Sequence, residues 1–323
     1  MKIKGSIKNL KINTAFILAA IGTVVAVGAR VYQAFSGLVD FETGFFTENH
    51  FTTYLLYGAL AVAAVGIFAV CFLAGEIPQE KMPAKKSPVV ALLSGIFGIT
   101  LAVNATEQFS SFSKAYSSAD ILMRDPEQTM MSYLMKSGDL PRLGEAVFAA
   151  LSIIYFITLV INYIGLKTVD FTKLKALSLC PLFWATFRMV QRFTRTISFM
   201  NVSSLLLELF MIAFMMMFFM YFAQMSSNVN ATAISYKVFS YGLIAAMLAA
   251  VVSIPKALLL IFDSSYRELM EKGLLECNFE ATDLAFCLFA VAMLVLCLAS
   301  PRIKNMTLKE TEKLIAVSSE EEK

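Results

Sequence analysis

Arginines are the residues with the clearest chemical potential in this chain, because several lie inside otherwise apolar segments. Arg188, Gln191 and Arg192 recur at spacings that place them on one face of a helix. Arg30 and Gln33 repeat the same Arg-x-x-Gln spacing near the end of the first apolar segment. A guanidinium group binds carboxylate or phosphate oxygens in a two-pronged geometry. These residues therefore predict a site for an anionic ligand.

Acidic residues and a lysine lie in comparable positions. Glu208 falls about two turns inside the sixth apolar segment, and Lys256 follows Pro255 inside the seventh. The ends of the third, fourth and eighth segments carry Glu107, Glu145 and Asp283. A charge inside a membrane span costs about 2.5–3.5 kcal/mol on insertion scales, so each charge needs a partner or water. Two interpretations stay open: the charged residues line a ligand site, or they pair with each other and hold helices together.

The apolar segments must form the elements that position these side chains. Of the 323 residues, 58% are hydrophobic and 16% are charged, whereas a soluble globular chain has roughly 25% charged residues. A membrane-spanning helix takes about 20 mainly apolar residues. Such segments occur at 14–36, 51–74, 88–107, 144–166, 176–197, 203–224, 237–262 and 281–300. We predict an all-α integral membrane protein with about eight transmembrane helices.

Weak internal similarity indicates that these helices form two related halves. The matches occur in the same order in both halves: Arg30-Val-Tyr-Gln33 with Arg188-Met-Val-Gln191, Thr52-Thr53 with Ser203-Ser204, Leu134–Gly138 with Leu269–Gly273, and Glu145 with Asp283. Because each half holds an even number of spans, the halves would be parallel repeats. We predict a tail over 1–13, four-helix repeats over 14–170 and 171–303, and a second tail over 304–323.

Two external connections are predicted to contain short helices that lie at the membrane surface. In 108–142, Asp125-Pro126 has the residue types of a helix start, and Gly138 is a plausible helix stop. In 263–280, residues 265–272 form the counterpart. Both segments could serve as lids over helix ends or as gates.

The distribution of lysine and arginine predicts the orientation of the chain, since short cytoplasmic segments are enriched in these residues. Basic residues collect in the N-terminal tail, in the turns 75–87 and 167–175, and after Arg302. Both termini are therefore predicted to be cytoplasmic. The charges inside the spans then lie toward the outer face.

Several classes of function find no support in the sequence. No HExxH, GxSxG or Walker-type loop is present, so an enzyme assignment has no positive support. The five cysteines form no CxxC pair and there is a single histidine, so we predict neither a metal site nor a cofactor. A net charge of +3 gives no reason to expect nucleic acid binding. The oligomeric state cannot be read from the sequence.

Two stretches resemble uncharacterised multi-pass membrane proteins of Clostridia-type bacteria. They are ARVYQAFSGLVDFETGFF at 29–46 and RTISFMNVSSLLLELFMIAFMMMFFMYFAQ at 195–224. The resemblance implies a location in a bacterial cytoplasmic membrane. It carries no activity and no functional residue.

Three hypotheses on function follow. The first is a transport or ligand-binding protein with a polar, outward-facing site between the repeats, for a small anionic ligand or a lipid head group. Its lining would be Arg30, Gln33, Arg188, Gln191, Arg192, Glu208 and Lys256, with Glu107, Glu145 and Asp283 as acidic partners. The second is a non-catalytic membrane scaffold or envelope sensor. The third is a lipid head-group enzyme, which would need acids such as Glu145 and Asp283 to converge.

Overall fold

A computed structural model describes residues 2–38, 50–74, 86–122, 133–135, 137–166, 169–194, 202–227, 231–271 and 279–299, which contain helices and no strand. The helices are α1 (Lys2–Phe35), α2 (Phe51–Ala74), α3 (Pro88–Leu122), α4 (Asp139–Ile164), α5 (Lys175–Ser178), α6 (Cys180–Thr194), α7 (Val202–Ser226), α8 (Ala231–Phe262), α9 (Ser264–Glu271) and α10 (Ala281–Ala299), with a 3-10 turn at Phe171–Lys173. Among the described residues, seven helices are long and apolar enough to cross a bilayer. The chain is an all-α, multi-pass membrane protein, as the sequence predicts.

The predicted span 176–197 differs from the others, because the structure divides it into α5 and α6 at Leu179. Pro181 lacks the N–H that would bond to the carbonyl group of Leu177, so the two helices cannot continue as one regular helix. The 15 residues of α6 cover about 22 Å, which is less than the roughly 30 Å of a bilayer core. Within the described residues, the continuous helix of this span is therefore shorter than predicted.

Together, α5 and α6 still pass from one end of the bundle to the other. At one end, Ser178 Oγ lies 3.4 Å from the Oγ atom of Ser227, just after α7. At the other end, Arg192 of α6 reaches Glu208 near the start of α7. Among the described residues, the helices thus run between the two ends eight times, seven times as the long apolar helices and once as α5 with α6. We call the end that contains Arg192 and Glu208 the charged end.

Two helices extend beyond their predicted limits. Helix α1 is helical from Lys2, within the predicted tail 1–13. Helix α3 continues from 107 to Leu122, because residues 108–122 contain neither proline nor glycine, even though they are mostly polar. The predicted end at 107 is wrong for this reason. The helix start predicted at Asp125 lies outside the described residues.

Two features of the predicted external connections fall on described residues. Gly138, between residues 133–135 and α4, has a φ of 78°, a left-handed conformation that glycine adopts without strain. Helix α9 forms within one residue of its predicted start. Backbone groups of Ser265 and Tyr266 donate to the Asp263 carboxylate, which caps this helix at its first turn.

Helix α8 occupies the centre of the bundle. It packs against α1, α2, α7 and α10, and every residue from Gly242 to Ser253 is buried. A helix that is apolar on all sides belongs in the core. The remaining helices pack mainly as pairs, α1 with α2 and α3 with α4. The proposed four-helix repeats stay a prediction.

An aromatic layer joins the other helices. The Phe97 ring of α3 lies 4.8–6.3 Å, between centroids, from rings on α4, α6, α7 and α10, which belong to Phe156, Trp184, Phe219, Phe286 and Phe289. Aromatic pairs contribute about 0.5–1.5 kcal/mol each beyond the area that they bury. Trp184 and Phe286 lie one turn or less from Arg188 and Asp283 in sequence, so this layer supports the charged end.

Candidate functional site

Five charged side chains from three helices meet at the charged end. Arg188 and Arg192 come from the last two turns of α6, and Glu208 from the second turn of α7. Glu280 immediately precedes α10, and Asp283 lies in its first turn. Every member forms an ion pair with at least one of the others. We call this group the ion cluster.

Arg188 contacts all three acids of the cluster. Its guanidinium group binds Asp283 through two parallel contacts, Nη1 to Oδ1 at 2.6 Å and Nη2 to Oδ2 at 3.0 Å. Nη2 also lies 2.9 Å from Glu280 Oε2 and 3.4 Å from Glu208 Oε1. The planar fork of arginine suits this geometry, whereas lysine would present a single charged point. Arg188 therefore ties α6 to both α7 and α10.

Glu280 bridges the two arginines with its two oxygens. Oε2 contacts Arg188, and Oε1 lies 2.7 Å from Arg192 Nη2. Arg192 Nη2 also donates to Glu208 Oε1 at 2.6 Å. A single carboxylate thus spans the gap between two guanidinium groups, which is the position that a carboxylate or phosphate ligand would take.

Burial separates Glu280 from the other members. The Arg188, Arg192, Glu208 and Asp283 side chains are at most 7% exposed, whereas the Glu280 side chain is 23% exposed. The cluster therefore meets the surroundings of the protein mainly at Glu280.

The charges of the cluster do not balance, because two guanidinium groups face three carboxylates. Buried charges in a membrane protein need compensation. Lys256 of α8 supplies part of it, since its charge acts on Glu208. Glu208 Oε2 is buried and accepts no hydrogen bond in the structure. Without Glu280, two arginines would face two acids.

A neutral layer lies below the arginines. The carbon atom at the centre of the Arg188 guanidinium lies 5.7 Å from the centroid of the Trp184 ring, within range of a cation–π interaction. The indole Nε1 of Trp184 donates to Asn104 Oδ1 at 3.1 Å. This indole is the only one in the chain, so it is a natural fluorescent reporter of the cluster.

A second chain of polar contacts connects α4 to the cluster. Asp139 pairs with Arg142 at 3.0 Å and accepts a hydrogen bond from Ser137. In the orientation of the Gln191 amide that satisfies both its atoms, the oxygen accepts from Arg142 Nε at 3.0 Å and the nitrogen donates to Glu145 Oε2 at 3.1 Å. Glu145 is buried, and the charges of the neighbouring cluster act on it. Glu145 and Gln191 therefore lie beside the ion cluster.

Arg30 and Gln33 form another polar group, where α1 meets α2. Arg30 Nη1 donates to Gln33 Oε1 at 3.3 Å, and Gln33 Nε2 donates to Thr52 Oγ1 at 3.2 Å. His50 Nδ1 lies 3.0 Å from the same hydroxyl group. The two Arg-x-x-Gln motifs therefore have different surroundings: Arg188 is fully enclosed by acids, and Arg30 is half-buried.

The positions of Glu107 and Glu280 differ from what the sequence indicates. Glu107, predicted as an acidic partner, is exposed, although its charge and that of Glu280 are close enough to interact. Glu280, which contacts both arginines, is absent from the predicted set. Its signal was its spacing: it stands three residues before Asp283, so both face the same side at a helix start.

The cluster is built for ion pairing. In the described part of the chain, no group of three or more histidine, cysteine or acidic side chains has the arrangement of a metal site. The three acids of the cluster face guanidinium groups, which already neutralise most of their charge. An anion that displaces one of these acids is the ligand that this arrangement suits.

No protein-family model, no curated protein and no solved structure matches the chain.

Proposed function

We propose that this chain is a membrane transport or ligand-binding protein for a small anion with a carboxylate or phosphate group. In this proposal the ion cluster is the binding site, and the Glu280 carboxylate holds the place of the anion in the structure described. The observation that carries the proposal is the bridge from Glu280 to both buried arginines, at 2.9 and 2.7 Å.

Exposure and charge both favour Glu280 as the acid that exchanges. It is the most exposed member of the cluster, so an anion from water meets it before Glu208 or Asp283. Its release leaves two arginines with two acids, and an anion that takes its place restores the original charge. Exchange of one carboxylate for another preserves the charge-assisted hydrogen bonds of both arginines.

A scaffold or sensor is the second candidate, and one observation favours it. Asp283 binds Arg188 through both oxygens, and Glu208 joins Arg188 to Arg192, so the cluster links α6, α7 and α10 without any ligand. In that case Glu280 would be one more element of a permanent link. The two candidates differ in whether an anion competes with Glu280.

The location follows the sequence-based expectation. We place the chain in a bacterial cytoplasmic membrane, with both termini in the cytoplasm and the charged end at the outer face. The eight passes support termini on one side, and the lysine-rich connections support the cytoplasm as that side.

Thermal unfolding in detergent tests the proposal, with acetate, succinate, glutamate and inorganic phosphate as probes at constant ionic strength. A ligand that binds only the folded state raises its stability in proportion to the logarithm of its concentration. We expect at least one probe to stabilise the wild type, and to stabilise Glu280→Ala at a concentration at least about tenfold lower, because the competing carboxylate is gone.

Glu107→Ala is the matched control. It removes an acid at the same end that has no ion pair with either arginine among the described contacts, so it must respond as the wild type does. If none of the probes stabilises the wild type or Glu280→Ala, the cluster is a permanent link and the scaffold interpretation replaces the proposal.

A further inference from the structure

A pocket of about 490 Å³ opens between α2 and α8, at the end of the bundle opposite to the ion cluster. Its wall on α2 is apolar and consists of Val65, Phe68, Ala69 and Phe72. The volume falls within the range of about 300–1,000 Å³ that is typical of ligand pockets. Val65 and Phe72 are strongly exposed, so this wall faces the lipid in a membrane protein.

The α8 side of the pocket is formed by Tyr236, Lys237, Ser240 and Tyr241, at the first turns of the membrane-spanning segment Tyr236–Phe262. Lys237 Nζ lies 5.2 Å from the centroid of the Tyr221 ring and 5.9 Å from that of Tyr236. Tyr236 packs edge-on against Phe72, and Tyr241 packs against Phe68 in the same way. The rings of Tyr221 on α7 and Tyr236 on α8 thus lie beside the ammonium group at one end of an apolar groove.

The charge of Lys237 has no acidic counterpart in the described part of the chain, where no carboxylate lies within ion-pair distance of Nζ. An ammonium group has three hydrogen-bond donors, and the two rings do not occupy them as oxygen acceptors would. Lysine and tyrosine at the end of a span lie at the depth of lipid head groups. An anion at the depth of the head groups would therefore suit the hydrogen-bond donors of the Lys237 ammonium group.

We propose that this pocket binds an anionic phospholipid, with the head-group phosphate on Lys237 and an acyl chain along the apolar wall of α2. Charge complementarity and position decide the occupant. A basic group between helices beside an apolar wall is the arrangement that recognises anionic head groups. This site lies at the opposite end of the bundle from the ion cluster and does not depend on the anion-binding proposal.

Native mass spectrometry of the detergent-purified protein tests the proposal, with phosphatidylglycerol, phosphatidylcholine and diacylglycerol as probes. We expect phosphatidylglycerol to bind most tightly. Lys237→Gln should weaken its binding about fivefold, because one basic residue near the surface contributes about that factor. Ala69→Trp, which fills the groove, should weaken both phospholipids.

Lys175→Gln is the matched control, since Lys175 is an exposed lysine on α5, near the same end of the bundle. It should bind phosphatidylglycerol as the wild type does. Equal binding of phosphatidylglycerol by the wild type, Lys237→Gln and Ala69→Trp would overturn the proposal. The proposal would also be overturned if the wild type formed a dimer that the Ala69→Trp substitution dissociates. In that case a second copy of the chain, and not a lipid, would occupy the groove. If Lys237→Gln does not fold, the Ala69→Trp result decides.

Discussion

Arg188 is the residue on which the charged end depends most. It is 1% exposed and contacts Asp283, Glu208 and Glu280, which come from two other parts of the chain. Its guanidinium carbon lies 5.7 Å from the centroid of the Trp184 ring. A buried ion pair contributes little when it replaces well-packed apolar groups, but loss of one partner leaves an uncompensated charge. Removal of Arg188 would therefore destabilise the protein chiefly because buried carboxylates would lose their compensating charge.

We expect Arg188→Ala to lower the free energy of unfolding by about 3–5 kcal/mol, because Asp283 would stay buried without its cation and Glu208 would lose one of the two arginines that it contacts. Arg142→Ala should cost about 1 kcal/mol or less, since the Arg142–Asp139 pair is partly exposed. Unfolding of each variant in mixed micelles gives both values.

The double variant Arg188→Ala/Asp283→Ala separates charge from packing. Removal of Asp283 as well should recover part of the stability lost in Arg188→Ala, because a buried carboxylate disappears with its partner. Additive losses in the double variant would mean that the pair at 2.6 Å carries no coupling.

At the residue scale, the sequence predicts which charges need partners but not which partners they find. Arg188, Arg192, Glu208 and Asp283 stand out because they interrupt apolar segments. Glu280 does not stand out in the sequence, because it lies just before the apolar segment 281–300, where charged residues are common. Glu280 has its role through its ion pairs with Arg188 and Arg192 of α6. Its spacing from Asp283 indicates a shared side at the start of α10, but it does not indicate which residues of another helix lie opposite.

At the scale of elements, hydrophobicity locates the helices well but sets their ends poorly. The apolar segment 51–74 coincides with α2, whereas α3 continues for 15 residues past its predicted end at 107. A helix ends where its backbone is interrupted, and polar residues alone do not interrupt it. The split between α5 and α6 has the opposite origin, because Pro181 breaks the helix within the apolar first part of its segment, before Arg188.

Helix α1 offers a test of close packing. A Cβ atom on Gly22 would come within 2.6 Å of the Ala63 Cβ atom on α2 and 3.2 Å of the Met247 sulfur on α8, whereas a Cβ atom on Gly28 would meet nothing within 4 Å. Small residues let helices in membranes approach closely.

We expect Gly22→Leu to lower the free energy of unfolding by about 1–3 kcal/mol, because α1 must move away from α2 and α8. Gly28→Leu, on the same helix, should leave it unchanged or raise it by up to about 1 kcal/mol, since leucine favours the helix more than glycine does. Chemical unfolding of both variants in the same detergent provides the comparison. Equal losses would show that α1 does not pack as described.

At the scale of the whole molecule, the buried charge of the bundle is distributed asymmetrically between its two ends. The buried ion pairs collect at the charged end, and the aromatic layer around Phe97 lies beneath them. The eight passes place the start of α1 and the end of α10 at the opposite end. The sequence predicts that charges such as Arg188 and Glu208 lie toward one end of the bundle. The side of the membrane at which that end lies and the proposed repeats, which rest on short matches such as Arg30 with Arg188, stay predictions.

Cysteine labelling in intact cells tests the orientation. With Cys277 replaced by serine, we expect Ser118→Cys, on the exposed extension of α3, to react with a membrane-impermeant maleimide. Lys173→Cys, at the other end, should react only after lysis. Cys71, Cys180 and Cys297 are buried, which keeps the background low. The reverse labelling pattern would place the charged end in the cytoplasm.

The central claim is that the Glu280 carboxylate occupies the place of an anion on Arg188 and Arg192. Trp184 fluorescence tests it most directly, because the only indole of the chain lies against Arg188. The titration uses the anion that stabilises the wild type against heat, at constant ionic strength. We predict a saturable change of emission in the wild type and in Glu107→Ala, and the same change at a concentration at least about tenfold lower in Glu280→Ala. Saturation at the same concentration in all three proteins, or no saturable change in any of them, would contradict the claim.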